Sequence, residues 1–187
     1  MISDDSDLLY AYARRGDIMS LTALVLRHTT WMQAFLRGLC PSAADAEDAF
    51  QEAWLRVMKS AGSYRGGRMK SYLATVARSA AIDRMRRGGR LVSLDAFEDE
   101  RGESAAEKLS DGAPGPGERF ESSATAADVR AAIAALPEGP RQVVLMRIEA
   151  EMSFKEIAAT MGIPLGTALT WMHVATVTLK KSLGGAR

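Results

Sequence analysis

Between Asp45 and Arg87 the chain reads DAEDAFQEAWLRVMKSAGSYRGGRMKSYLATVARSAAIDRMRR. Its first half places Ala46, Ala49, Phe50, Ala53, Trp54, Val57 and Met58 at the spacing of one helical face. Asp48, Gln51, Glu52, Leu55 and Lys59 fall on the other side. Ser42, three residues before Asp45, has the form of an N-cap, and Pro41 keeps the preceding helix out. A stripe with this period can be buried only against other packed elements, and no other run in the chain alternates as a strand would. The expected fold class is all-α.

The second half of the stretch switches sign. Arg56, Lys59, Arg65, Arg68, Lys70, Arg78, Arg84, Arg86, Arg87 and Arg90 face a single acid, Asp83. Solvated helix faces usually mix signs, so an almost purely basic run points to a polyanionic partner. Met69, Leu73, Val76, Ala77 and Ala80 are expected to face inward, with Thr75, Arg78, Ser79, Ile82 and Arg86 outward. The loop AGSYRGGR before this helix has two readings. It is a helix connection whose glycines permit positive φ, or a flexible loop that stacks an unpaired base on Tyr64 and sets Arg65 and Arg68 on phosphate.

At 187 residues the chain fits one domain or two small ones. Its net charge of +1 averages the basic block against an acidic one further on. Cys40 is the only cysteine, so no intramolecular disulfide forms. MISDDSD is the reverse of a signal peptide and no apolar run reaches membrane-spanning length, so a soluble cytoplasmic protein is expected.

Asp4–Asp7 can cap a first helix carrying Leu8, Leu9, Tyr12 and Ala13, broken by Gly16-Asp17. A longer helix from Ile18 to Leu39 follows, with Leu21, Leu24, Val25, His28, Met32, Phe35, Leu36 and Leu39 on one broad face. His28 lies there without a second His or Cys at ligand spacing, so it reads as a packing residue. The stretch 91–127 is acidic, poor in apolar anchors and interrupted by GAPGPGE, which reads as a linker. Helices resume near Asp128. Ser153 and Glu156 form a capping box, Gly162 is placed to end that helix, and Pro164 opens the next. Helix, tight glycine turn, helix is the layout whose second helix normally enters the major groove.

DAEDAFQEAW, YRGG…SYL and ATVARSAAIDRMRR together resemble region 2 of the extracytoplasmic-function sigma factors of bacterial RNA polymerase. LPEGPRQVVLMRIEAEMSFKEIAATMGIPLGT resembles region 4 of the same family. The resemblance implies region 2 over 1–90, a linker over 91–127 and a helix-turn-helix region 4 over 128–187. It implies docking on core RNA polymerase through Asp48, Gln51, Glu52 and Leu55. The minus-ten element of promoter DNA then falls to Tyr64, Arg65, Arg68, Lys70, Thr75, Arg78, Ser79, Arg84, Arg86 and Arg87. The family commonly has Asn where this chain has Ser79; serine keeps a hydroxyl but lacks the amide's paired donor and acceptor. The helix-turn-helix would offer Ser153, Lys155, Thr167, Leu169, Thr170, Trp171, His173 and Val174 to DNA or to a protein partner. No cofactor, metal or catalytic group is implied. With no nucleotide-binding glycine loop and only His28 and His173 as histidines, an enzyme is not expected.

The last helix, PLGTALTWMHVATVTLKKSL, departs from the family. Ala168, Met172, Ala175 and Leu179 share an inward face. Leu169, Trp171, Val174, Thr176, Val177 and Thr178 stand where basic residues are frequent in the family, and charge returns only at Lys180 and Lys181. A groove reader needs phosphate neutralisation and base-edge donors. Three readings stand: a contact to a partner such as an anti-sigma factor, packing on the chain's own N-terminal domain, or an unusual DNA reader. The expectation is that protein covers this face, since Leu169, Trp171, Val174 and Val177 exceed what the core stripe needs.

Overall fold

The computed structural model describes residues 4–87 and 125–184. Most of the expected linker lies outside the described residues. Eight helices are seen: α1 Asp5–Arg15, α2 Ile18–Leu39, α3 Ala43–Ser60, α4 Met69–Arg87, α5 Ala126–Ala134, α6 Glu138–Ile148, α7 Phe154–Met161 and α8 Leu165–Gly184. A single 3-10 turn, Ala61–Ser63, leads from α3 toward α4. No strand occurs among the described residues, and the all-α expectation holds.

Local chemistry sets the helix ends. Asp17 caps α2 by accepting from the Met19 and Ser20 amides, and Ser42 caps α3 by accepting from the Asp45 amide at 3.1 Å. The Ser153–Glu156 capping box forms as expected. Gly162 ends α7 at φ 69°, a conformation that glycine adopts without steric cost. A second box, Thr125–Asp128, starts α5 at Ala126, earlier than the expected start near Asp128.

Leu24, Met32, Phe35 and Leu36 of α2 are buried with Trp54 and Val57 of α3 and Leu73 and Ala77 of α4. Val143, Leu145, Met146 and Ile157 from the C-terminal helices join the same apolar cluster. Contact between the two halves is close where α2 meets α6. A methyl group built on Gly38 would lie 2.6 Å from a Leu145 Cδ atom, so the absence of a side chain at Gly38 seats Leu145. The lone Cys40 is buried, and burial pushes its thiol up to about 11.

His28 is buried with both ring nitrogens engaged. Trp31 Nε1 donates to Nδ1 at 2.9 Å, and Nε2 lies 2.9 Å from an Asp5 carboxylate oxygen. Accepting at Nδ1 and donating at Nε2 describes the neutral ring. Burial lowers the His28 pKa, and outweighs the opposing pull of Asp5. A lowered folded-state pKa stabilises the fold fully above the unfolded value, and that contribution is lost as pH falls through the folded value. Stability is therefore expected to fall on acidification below about pH 6.5, with a slope of at most about 1.4 kcal/mol per pH unit from this one proton. Urea titrations across that window check it, and His28→Gln should flatten the slope there.

Candidate nucleic-acid interface

The outward stripe of α3 and the basic helix α4 share an edge. Asp48, Gln51 and Leu55 are exposed and Glu52 is half-buried. Arg56 Nε donates to Glu52 at 2.9 Å, while its Nη1 donates to Asp83 at 2.7 Å and to Ser79 Oγ at 3.1 Å. The hydrogen bond from Arg56 holds the Glu52 carboxyl below its ordinary range. Arg84 Nε donates to Asp45 at 3.1 Å, and its guanidinium also pairs with Asp48. The acidic stripe and the basic helix are thus cross-linked by ion pairs.

The loop differs from its base-stacking reading. Tyr64 is only 6% exposed. Its ring sits 5.8 Å from that of Tyr10 and 5.0 Å from that of Tyr72, and its hydroxyl donates to the Gly67 carbonyl at 2.8 Å. Burying an aromatic ring among others and satisfying its hydroxyl stabilises the turn more than exposing it would. Gly66 and Gly67 take φ of 90° and 101°, so here the glycines serve backbone geometry. Arg65 remains exposed.

On α4, Thr75, Ser79, Arg86 and Arg87 are exposed as expected. Ile82 is not: it is buried at 8%. Nor is Arg78 on an open side. Its Nε donates to Gln142 Oε1 at 2.6 Å, and burial lowers its pKa. Lys70 Nζ lies 2.7 Å from a Glu151 carboxylate oxygen and 5.4 Å above the Trp31 ring. Arg68 donates to the Glu151 carbonyl at 2.8 Å. Neither the pairing of Arg78 with Gln142 nor that of Lys70 with Glu151 follows from helical period. The one available signal was the acid pair Glu149 and Glu151, set where a helix connection had to fall.

The last helix also corrects its expectation. Leu169 and Trp171 are half-buried, and a methyl group on Gly139 would come within 2.7 Å of the Trp171 ring. Trp171 is core packing between α6 and α8, and does not add spare apolar surface. The outward set is Thr170, His173, Val174 and Val177, with Val174 40% exposed and Val177 38%. Thr167 is half-buried, Ser153 serves as the α7 cap, and Lys155 is exposed.

Residues 24–91 match the family description Sigma-70 region 2, and residues 126–176 match Sigma-70, region 4. The ECF RNA polymerase sigma factor SigE of Mycolicibacterium smegmatis is 32% identical over 151 residues, covering 80% of this chain and 56% of that protein. The RNA polymerase sigma factor CarQ of Myxococcus xanthus is 31% identical over 162 residues, covering 86% of this chain and 87% of CarQ. The chain belongs to the extracytoplasmic-function sigma factors. In this sigma factor the region 2 match takes in most of α2 with α3 and α4, and the region 4 match takes in α5 to α7 with the first part of α8. The fold agrees with that of RpoE from Bartonella quintana, solved in complex with the anti-sigma factor NepR. The TM-score is 0.65 at 22% identity, covering 89% of this chain and 98% of that one. Among the described residues no helix of the sigma factor is long and apolar enough to cross a membrane.

Proposed function

We propose that this sigma factor binds core RNA polymerase in the cytoplasm and directs promoter recognition, opening and transcription initiation. The observation that carries the reading is the presence of both sigma regions, in order, in one chain. Residues 1–90 would dock on polymerase and take the minus-ten element, 91–127 would link, and 128–187 would carry the helix-turn-helix. Asp48, Gln51, Glu52 and Leu55 form the polymerase edge. Thr75, Ser79, Arg86 and Arg87, with Arg65 on the loop, are the exposed α4-side groups for DNA. The sigma factor is read as a non-catalytic initiation factor.

A second reading concerns region 4 alone. Leu165, Val174 and Val177 are exposed on α8, and apolar groups serve a protein contact better than a phosphate contact. On this reading α8 meets a regulator of the anti-sigma class rather than the minus-thirty-five element.

Run-off transcription with core polymerase on a random promoter library tests the main reading. Enrichment of a common promoter sequence is expected, and its absence would refute it. Arg86→Ala is expected to reduce the salt slope of promoter binding by about one unit, since one phosphate contact is lost. Fluorescence anisotropy across a salt series measures this, and an unchanged slope removes Arg86 from the DNA face.

A further inference from the structure

Arg56 of α3 spans the gap to α4 and donates to three oxygens. Its Nε bonds Glu52 at 2.9 Å, one turn back on the same helix. Its Nη1 carries two N–H groups, and these reach Asp83 at 2.7 Å and Ser79 Oγ at 3.1 Å. Ser79 is exposed and Asp83 half-buried, one turn apart on α4. Neighbouring hydroxyls are engaged differently. Thr75 gives its proton to the Ser71 carbonyl at 2.9 Å, and Ser60 gives its proton to the Arg56 carbonyl at 2.7 Å. Ser79 Oγ enters only as an acceptor, and its proton has no partner among the described residues.

A serine hydroxyl has one proton and two lone pairs, so a free one gives or accepts with equal ease. Accepting from a guanidinium occupies one lone pair and draws electron density from the oxygen. The O–H then becomes a stronger donor and the remaining lone pair a poorer acceptor. Asp83 adds a second effect. Left unpaired, its carboxylate would repel phosphate and offer an acceptor to the amino groups of bases. The ion pair with Arg56 suppresses both.

We propose that Arg56 is a positioning residue for base choice. By holding Ser79 as a hydrogen-bond donor and neutralising Asp83, it makes this part of α4 select a base with a keto oxygen, thymine or guanine, over one with an exocyclic amino group, cytosine or adenine. The inference rests on reading α4 as the helix that meets the minus-ten element. Thymine O4 and guanine O6 accept a hydrogen bond, whereas cytosine N4 and adenine N6 donate one. A hydroxyl donor facing an amino donor leaves both without a partner. A single bond of this kind changes relative affinity about fivefold.

The test uses the full chain with core RNA polymerase. Promoter duplexes unpaired across the minus-ten region, and random there in one strand at a time, are captured with the holoenzyme, and the random strand is sequenced. Ser79→Ala marks the position that Ser79 reads, as the one whose base frequencies change. The wild-type chain is expected to enrich thymine and guanine there about fivefold over cytosine and adenine. Arg56→Met should abolish or reverse that preference and leave other positions alone, even if overall capture falls. In a Ser79→Ala background, Arg56→Met should change that position no further. Arg56→Lys keeps a cation beside Asp83 but not the planar fork, so capture should fall less while the preference is still lost. Enrichment of cytosine or adenine at that position, a preference that survives both Arg56 variants, equal loss at every position, or no position altered by Ser79→Ala would each overturn the proposal. If the wild-type chain enriches no base in either strand, the minus-ten reading of α4 fails, and this inference with it.

Discussion

A chain carrying Leu55→Asp is expected to bind core RNA polymerase about thirtyfold more weakly, a loss of about 2 kcal/mol, with its thermal midpoint unchanged. Leu55 is 48% exposed on α3, in the middle of the outward stripe that includes Gln51 and Glu52. An apolar side chain left in water within a polar stripe contributes little to the fold and is available to a partner. Its neighbours make less clean probes. Asp48 pairs with Arg84 and Glu52 with Arg56, so reversing either charge would also disturb α4. Those pairs are partly exposed, and each is worth at most about 1 kcal/mol to stability. Titration of labelled core polymerase reads the effect of Leu55→Asp directly. Wild-type affinity in that titration would remove Leu55 from the docking edge.

What was legible in the sequence was local. Ser42, Ser153 and Gly162 announced helix ends because caps and left-handed turns depend on a few adjacent residues. The inward stripes of α2 and α3 followed from period alone, and Leu24, Phe35, Ala53 and Val57 are all fully buried. The inward stripes of α4 and α8 held as well; what failed was part of their outward sides, where Ile82 is buried and Arg78, Leu169 and Trp171 are half-buried. Periodicity divides a helix into faces, but it does not say how many neighbours the helix has. Arg78 lies on the side of α4 away from its own domain's core, and is half-buried because region 4 packs there. Tyr64 was misread for a related reason. A tyrosine in a glycine loop gives no sign that Tyr10, far back in the chain, closes over it. Contacts between distant segments depend on shape, and a helical period carries no record of them.

Trp171→Arg, which would bring α8 closer to its family in charge, is instead expected to destabilise region 4 by about 3 kcal/mol. The Trp171 ring packs against the start of α6 at a point where Gly139 has no side chain to hold it off. An arginine there would lose the ring's contacts and bring a cation against buried Gly139 and Pro140. Gly139→Ala should be unfavourable for the same reason, although alanine is normally the better helix residue by about 1 kcal/mol. Val174 is the contrasting site. It is 40% exposed on the outward side of α8. Val174→Arg should therefore change stability by no more than about 0.5 kcal/mol. It should also add about one unit to the salt slope of DNA binding, if α8 lies near phosphate. Guanidinium unfolding of the three single variants separates these outcomes. A Trp171→Arg chain as stable as wild type would show the ring to be dispensable packing, and would return Trp171 to the surface available for a partner.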